Sequence, residues 1–339
     1  MEPKKSIVFI INPKSGHHMR RSIIHLIEKG IDKEKYDYSI EYTQYAGHAH
    51  KIARDAVACG INVVTAVGGD GTINEVARSL VNTSTALAII PCGSGNGLAR
   101  HLGIPDARHA IEVINGGITM TMDYGIINNV PFFCTCGVGF DAFISFKFAS
   151  SKKRGFITYI NKTLTDILKY KPDVYEIEDE EQKVKYKAFL VACANASQYG
   201  NNAYIAPHAS LSDGYLDITI LEPFSMIDIP TLSYQLFNKR IEKNSHIKTM
   251  RCKKVHISRK EPGVVHFDGD PMMADKDLYI EVVEKGLNVI TPEEVYKGRA
   301  EELQQTVINY FNELREDLPI TPGKVRLFCR WVRNFFLGD

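Results

Sequence analysis

Along the first third of the chain, short unbroken apolar runs alternate with segments whose apolar residues recur at helical spacing. Ile7-Val8-Phe9-Ile10-Ile11 is continuous, the pattern of a parallel strand buried on both faces. Ile23, Ile24 and Ile27 then predict a helix, residues 38–43 an extended segment, and residues around 49–58 a second helix. Residues 63–67 form another apolar strand pattern, 73–82 a helix, and 86–90 a further strand ending at Pro91. Such alternation predicts a mostly parallel α/β sheet that gathers its ligands at the carboxyl ends of the strands.

From about Gly117 the texture changes. Segments 184–192, 216–221, 254–258, 264–267 and 278–283 have the pattern of short strands, with one helical interlude near 157–168. Beyond Pro292 the pattern is helical again, carried by Leu303, Val307, Phe311 and Leu314. The predicted division is an α/β domain over 1–118, completed by part of 286–318, a sheet-rich domain over 119–285, and an amphipathic helix over 319–339. In 324–337, Val325, Leu327, Phe328, Trp331, Val332, Phe335 and Phe336 fall on one arc, and Arg326, Arg330 and Arg333 lie opposite. That pattern suits a helix lying in an anionic membrane surface or one packed on its own domain; Pro319 and Pro322-Gly323 supply a hinge before it.

Composition narrows the classes. Lys and Arg number 41 and Asp and Glu 40, a net charge of +1, which argues against nucleic acid as a partner. The seven cysteines (Cys59, Cys92, Cys134, Cys136, Cys193, Cys252 and Cys329) contain no CxxC pair, so they read as reduced thiols of a cytoplasmic protein. Cys134 and Cys136 share one face of a predicted strand, a core position. The opening apolar run is too short for a signal peptide, and no stretch approaches the ~18–20 apolar residues of a spanning helix.

Three glycine-containing turns end the first, third and fourth extended segments: Asn12-Pro13-Lys14-Ser15-Gly16, Gly68-Gly69-Asp70-Gly71-Thr72-Ile73-Asn74-Glu75, and Pro91-Cys92-Gly93-Ser94-Gly95-Asn96-Gly97-Leu98-Ala99-Arg100. Glycine lets main-chain N–H groups converge on an anion, and the following helix N-terminus adds partial positive charge. Neither a Walker A motif nor a dinucleotide fingerprint fits, since Leu98 stands where the third glycine belongs.

These blocks, followed in order by Asn195-Ala196, Ala206-Pro207-x-Ala209, Ser212-Asp213-Gly214-Tyr215-Leu216-Asp217 and Phe267-Asp268-Gly269-Asp270-Pro271, resemble the diacylglycerol kinase catalytic family. That family includes bacterial soluble lipid kinases and the sphingosine kinases. The resemblance covers roughly residues 5–292. It implies an N-terminal mostly parallel α/β domain like those of phosphofructokinase and NAD kinase, a C-terminal β-sandwich domain, and an active site in the cleft between them. It implies ATP and Mg²⁺ as cofactors and transfer of the γ-phosphoryl group to a lipid hydroxyl at the membrane surface; the amphipathic pattern of 324–337, outside the resemblance, offers the membrane contact or a helix packed on its own domain or on another subunit. A kinase of a soluble substrate, as in the NAD kinases, and a regulator without turnover are the alternatives, and a homodimer is left open.

Residue by residue, the resemblance implies nucleotide contacts at Asn12, Pro13, Gly16, Thr43, Gly68, Gly69, Asp70, Gly71, Thr72, Asn74, Glu75, Gly93, Ser94 and Asn96. Asp70 would hold the catalytic Mg²⁺, supported through water by Asp123. A second, structural Mg²⁺ would take the Asp213 carboxylate and the carbonyls of Ser210 and Tyr215. Asp270 inherits the role of proton acceptor with a side chain one methylene shorter than the family's usual Glu, so either the backbone moves inward or Asp268 or a water takes part. Gly97, where diacylglycerol kinases usually carry Asp, leans the acceptor toward a sphingoid base, with diacylglycerol next.

Overall fold

The computed structural model describes residues 3–15, 20–116, 118–149, 166–167 and 169–292. The first part alternates strand and helix: β1 (Lys5–Ile11), α1 (Arg20–Gly30), β2 (Tyr36–Tyr42), α2 (His48–Ala58), β3 (Val63–Gly68), α3 (Asp70–Leu80), β4 (Ala86–Pro91), α4 (Gly97–His101) and α5 (Ala107–Gly116). Next come β5 (Ile118–Ile127), β6 (Val130–Phe132), β7 (Thr135–Gly139) and α6 (Phe140–Ala149). The remainder is β8 (Asp173–Glu178), β9 (Lys183–Ala188), β10 (Leu190–Ala194), β11 (Leu216–Leu221), α7 (Ile229–Phe237), β12 (Ile247–Cys252), β13 (Lys254–Arg259), β14 (Gly263–Phe267), β15 (Asp270–Ala274) and β16 (Asp277–Thr291). The helical tail expected beyond Pro292, with its amphipathic 324–337 segment, and most of the interlude at 157–168 lie outside the described residues.

In the first lobe, β2-β1-β3-β4 run parallel, and β1, β3 and β4 are buried almost throughout, as their unbroken apolar runs require. The same sheet continues through β16, which pairs parallel with β4 at Val289↔Leu87 and antiparallel with β13 and β5. A second, antiparallel sheet of order β12-β11-β10-β7-β14-β15 packs on the β13-β8-β9 end of the first. Val138, Val191, Ile218 and Val265 of the small sheet meet Ile177, Ile257, Leu278 and Ile280 of the large one, making a β-sandwich behind the α/β lobe. The expected fold class is therefore the observed one.

Two details differ from the pattern. The single run expected at 184–192 is two strands in different sheets, broken at Phe189, whose N–H donates to Leu221 O and whose carbonyl accepts from Phe140 N. The strand expected at 278–283 runs on to Thr291 through a bulge between Val283 and Leu287, where Lys285 adopts φ +52. A bulge frees one main-chain N–H from the ladder; that of Lys285 donates to the Asp123 carboxylate at 2.7 Å.

Candidate active site between the lobes

The glycines of the second and third turns are required by closeness. A Cβ on Gly93 would lie 2.5 Å from the Gly69 Cα, one on Gly95 2.7 Å from Asp70 Oδ2, and one on Gly68 2.5 Å from Thr72 Oγ1. The two turns thus touch main chain to main chain, a contact only Gly permits. Asp70, first residue of α3, accepts from the N–H of Asn96 at 2.9 Å and of Gly97 at 2.7 Å. Burial pushes its pKa up, and these two N–H donors pull it back. Asn96 sits in the left-handed region at φ +53; its side chain accepts from Gly93 N and donates to Gly93 O, closing the turn on itself. Gly71 and Ser94 stand exposed at the rim.

The first turn joins through Asn12, whose Nδ2 donates to Thr72 Oγ1 at 3.1 Å while its Oδ1 accepts from Lys14 N. Pro13 follows directly, Thr43 is buried beside it with its N–H on Ile11 O, and Gly16 lies outside the described residues. Glu75, expected against the nucleotide, is spent otherwise: its two oxygens accept from Gly47 N and Ala49 N, capping the start of α2.

Across the gap, Asp268 (φ +50) and Gly269 (φ +85) turn β14 into β15. Asp268 Oδ1 accepts from Cys134 N and Thr135 N, and Oδ2 from Phe133 N and from Asn74 Nδ2 at 2.6 Å. A carboxylate offers about four lone-pair sites, and here all four are filled. Asp268 therefore has none left for a hydroxyl proton. The expectation that it shares the base role gives way to a structural one: it ties α3 of the first lobe to the second. Asp270, next along, takes no hydrogen bond from any described side chain or N–H. Its edge position leaves it open to solvent, yet the facing lobe desolvates it, and burial, then the Asp268 charge, raise its pKa while Arg78 lowers it.

The expected metal ligands fare unequally. Asp70 keeps one lone pair on each oxygen, and a single carboxylate with phosphate and water oxygens is a donor set Mg²⁺ accepts. Among the described residues no cluster of three or more His, Cys, Asp or Glu could hold an ion alone, so substrate oxygens are required. Asp123 does not fit: it is 1 % exposed, and its oxygens accept from Gly214 N at 2.8 Å and Lys285 N at 2.7 Å. It braces the sandwich where Asp123 N also donates to Leu211 O. The second metal does not fit either. Asp213 Oδ2 is paired with the Arg251 guanidinium and Oδ1 accepts from Tyr215 N. Arg251 also reaches Asp217, and both Arg251 and Lys253 lie over the Tyr215 ring. The carboxylate assigned to the ion is thus already paired with a cation of the chain itself, and the Ser210 hydroxyl accepts from Ser212 N.

Three residues escaped the sequence reading. Arg78, on the last turn of α3, places its guanidinium 4.5 Å from the Phe267 ring centre, near Asp268 and Asp270. Arg100 Nε donates to Gly95 O at 3.1 Å. His101 Nδ1 accepts from Ser197 N at 3.0 Å, and burial holds its pKa down to about 4. Gly97, taken as a mark of the acceptor lipid, is also closely packed: a Cβ there would stand 3.3 Å from the main chain of Tyr199, which would have to shift by a few tenths of an ångström.

Comparison with known proteins agrees with this arrangement. The sequence profile of the diacylglycerol kinase catalytic domain matches residues 6–127, and that of the YegS C-terminal NAD kinase beta sandwich-like domain matches 135–291. A protein of Bacillus subtilis named diacylglycerol kinase is 26% identical over 267 residues, spanning 77% of this chain and 88% of its own length. The structure of a diacylglycerol kinase of Bacillus anthracis superposes with a TM-score of 0.66 at 21% identity, covering 87% of this chain and all of that one. An NAD kinase of Archaeoglobus fulgidus, solved with ATP, gives 0.50 at 14% identity over 89% and 98% of the two chains. With both profiles matched in order over the two observed lobes, this chain carries a diacylglycerol kinase catalytic domain over residues 6–127, followed by a YegS C-terminal NAD kinase beta sandwich-like domain over 135–291.

Proposed function

We propose that this protein is an ATP-dependent lipid kinase whose acceptor is the free hydroxyl of diacylglycerol. The observation that carries the reading is the pairing across the cleft: two glycine turns braced by Asp70 face one carboxylate, Asp270, whose acceptor capacity is unfilled. In this reading the main-chain N–H groups of Gly69, Gly71 and Ser94, with the positive end of α3, hold the phosphates of ATP. Asn12, Pro13, Thr43 and Gly68 shape that cradle, Asn96 closes its third turn, Asn74 ties α3 to Asp268, and Glu75 holds the start of α2. Asp70 would hold Mg²⁺, which supplies charge neutralisation at the phosphoryl oxygens. Asp270 takes the proton of the hydroxyl as its oxygen attacks the γ-phosphorus and ADP leaves. Its raised pKa suits a general base, which works best when its pKa approaches the working pH.

Diacylglycerol is placed ahead of a sphingoid base because relatives in Bacillus subtilis and Mycobacterium tuberculosis are named diacylglycerol kinase, and the one residue that favoured the latter, Gly97, also packs closely on Tyr199. No helix among the described residues is long and apolar enough to cross a membrane, so the lipid would be met at the bilayer surface, with 324–337 as the proposed contact. The test is transfer of radiolabelled γ-phosphate to diacylglycerol, sphingosine and ceramide in mixed micelles, with NAD alongside. Label in phosphatidic acid is the expected result. Label in NAD alone, or in no acceptor, overturns the reading.

A further inference from the structure

Among the described residues of the cleft, one carboxylate takes no hydrogen bond and one guanidinium has two buried donor atoms without an acceptor. Asp70 is bound by Asn96 and Gly97, Glu75 by Gly47 and Ala49, and Asp268 by four donors. Asp270 has no such partner, and Arg78 has buried Nε and Nη2 atoms without an acceptor. Arg78 lies one helical turn after Asn74 on the same face of α3, the face from which Asn74 reaches Asp268. Its guanidinium is stacked on Phe267, and Phe267 is the ladder partner of Asp270. A buried donor left unmade is costly, so retention of a guanidinium here calls for a compensating interaction with charge.

We propose that Arg78 is a positioning residue for the acceptor half of the reaction: it holds the Asp270 carboxylate ionised and turned into the cleft. The proposal rests on the kinase reading for its purpose, though not for its physics. Around Asp270, Asp268, Glu75 and Asp70 oppose ionisation and Arg78 favours it. From α6, which packs on β15, Asp141 is bonded to His266 and Tyr199, and Lys147 is paired with Asp166; from β14, His266 is committed to Asp141. Arg78 is thus the cation that counters the acidic neighbours.

The test is kcat against pH for wild type, Arg78→Gln and Arg78→Lys with diacylglycerol micelles. Arg78→Gln is expected to move the acid limb upward by about one pH unit, a roughly tenfold loss on that limb, with KM for ATP nearly unchanged. Arg78→Lys, which keeps the charge, restores most of it. An acid limb in Arg78→Gln that coincides with wild type overturns the proposal. The Asp270 carboxyl, followed by ¹³C NMR titration and assigned with Asp270→Asn, reads the same couple without turnover. An upward shift in Arg78→Gln together with no lipid phosphorylation would sink the kinase reading and keep the couple; an unmoved resonance would sink the couple alone.

Discussion

The two walls of the cleft are built on opposite plans. The phosphate-side wall is main chain: Gly69 against Gly93, Gly95 against Asp70, with Asn96 and Asp70 consuming the N–H groups around them. The acceptor-side wall is side chain: Asp270, Arg78 and Phe267 on a strand edge and a helix end, with hydrogen-bonding capacity unspent. Main-chain walls have one shape, and a single added carbon breaks them. Side-chain walls are adjustable, and there a change of residue alters ionisation before it alters geometry. In the proposed reading the first wall meets a phosphate, which is the same in every reaction, and the second meets the hydroxyl carrier, which varies, so rigidity suits the one and tolerance the other.

The contrast can be broken at its strongest point by Asp70→Asn. The amide NH₂ would replace one oxygen and face the N–H of Asn96 or Gly97, donor against donor, and the carboxylate charge is lost as well. Lipid phosphorylation should fall by roughly 10²–10³-fold, read with radiolabelled ATP; a loss below tenfold would mean that the brace is dispensable. Gly93→Ala should act on the same wall through space alone. Its Cβ meets the Gly69 main chain at 2.5 Å, so we expect a destabilisation of roughly 1–3 kcal/mol and tenfold weaker ATP binding by calorimetry, with Asp270 ionisation unmoved. The smallest effect is expected from chelation. Because Arg251 is already paired with Asp213, EDTA should leave the melting temperature of the protein without nucleotide within about 1 °C, while Arg251→Gln should lower it by a few degrees. A large EDTA effect on the wild type would restore the second ion.

The first wall was legible in the residues because glycine and a following helix start are local signals, and Asp70, Gly93 and Asn96 meet where the turns predicted. The second wall was half legible. The Asp-Gly-Asp block marks a turn and two acids, yet which acid is saturated depends on the Phe133, Cys134 and Thr135 N–H groups, far away in the chain. Arg78 was not legible at all, since a cation in a last helical turn also reads as a favourable end charge. Asp123 and Asp213 were expected to serve an ion because their partners, Lys285 on a bulge and Arg251 on a neighbouring strand, come together only through folding. Phe189 likewise hid a change of sheet inside what looked like one strand.

The long strand β16 has a consequence for substrate entry. It is a ladder member of both halves, bonded to β4 at one end and to β13 and β5 along the rest. Parting the two halves would bend or break this shared strand. In the proposed reading, a two-tailed acceptor would therefore present only its head to the slot and leave its tails in the bilayer.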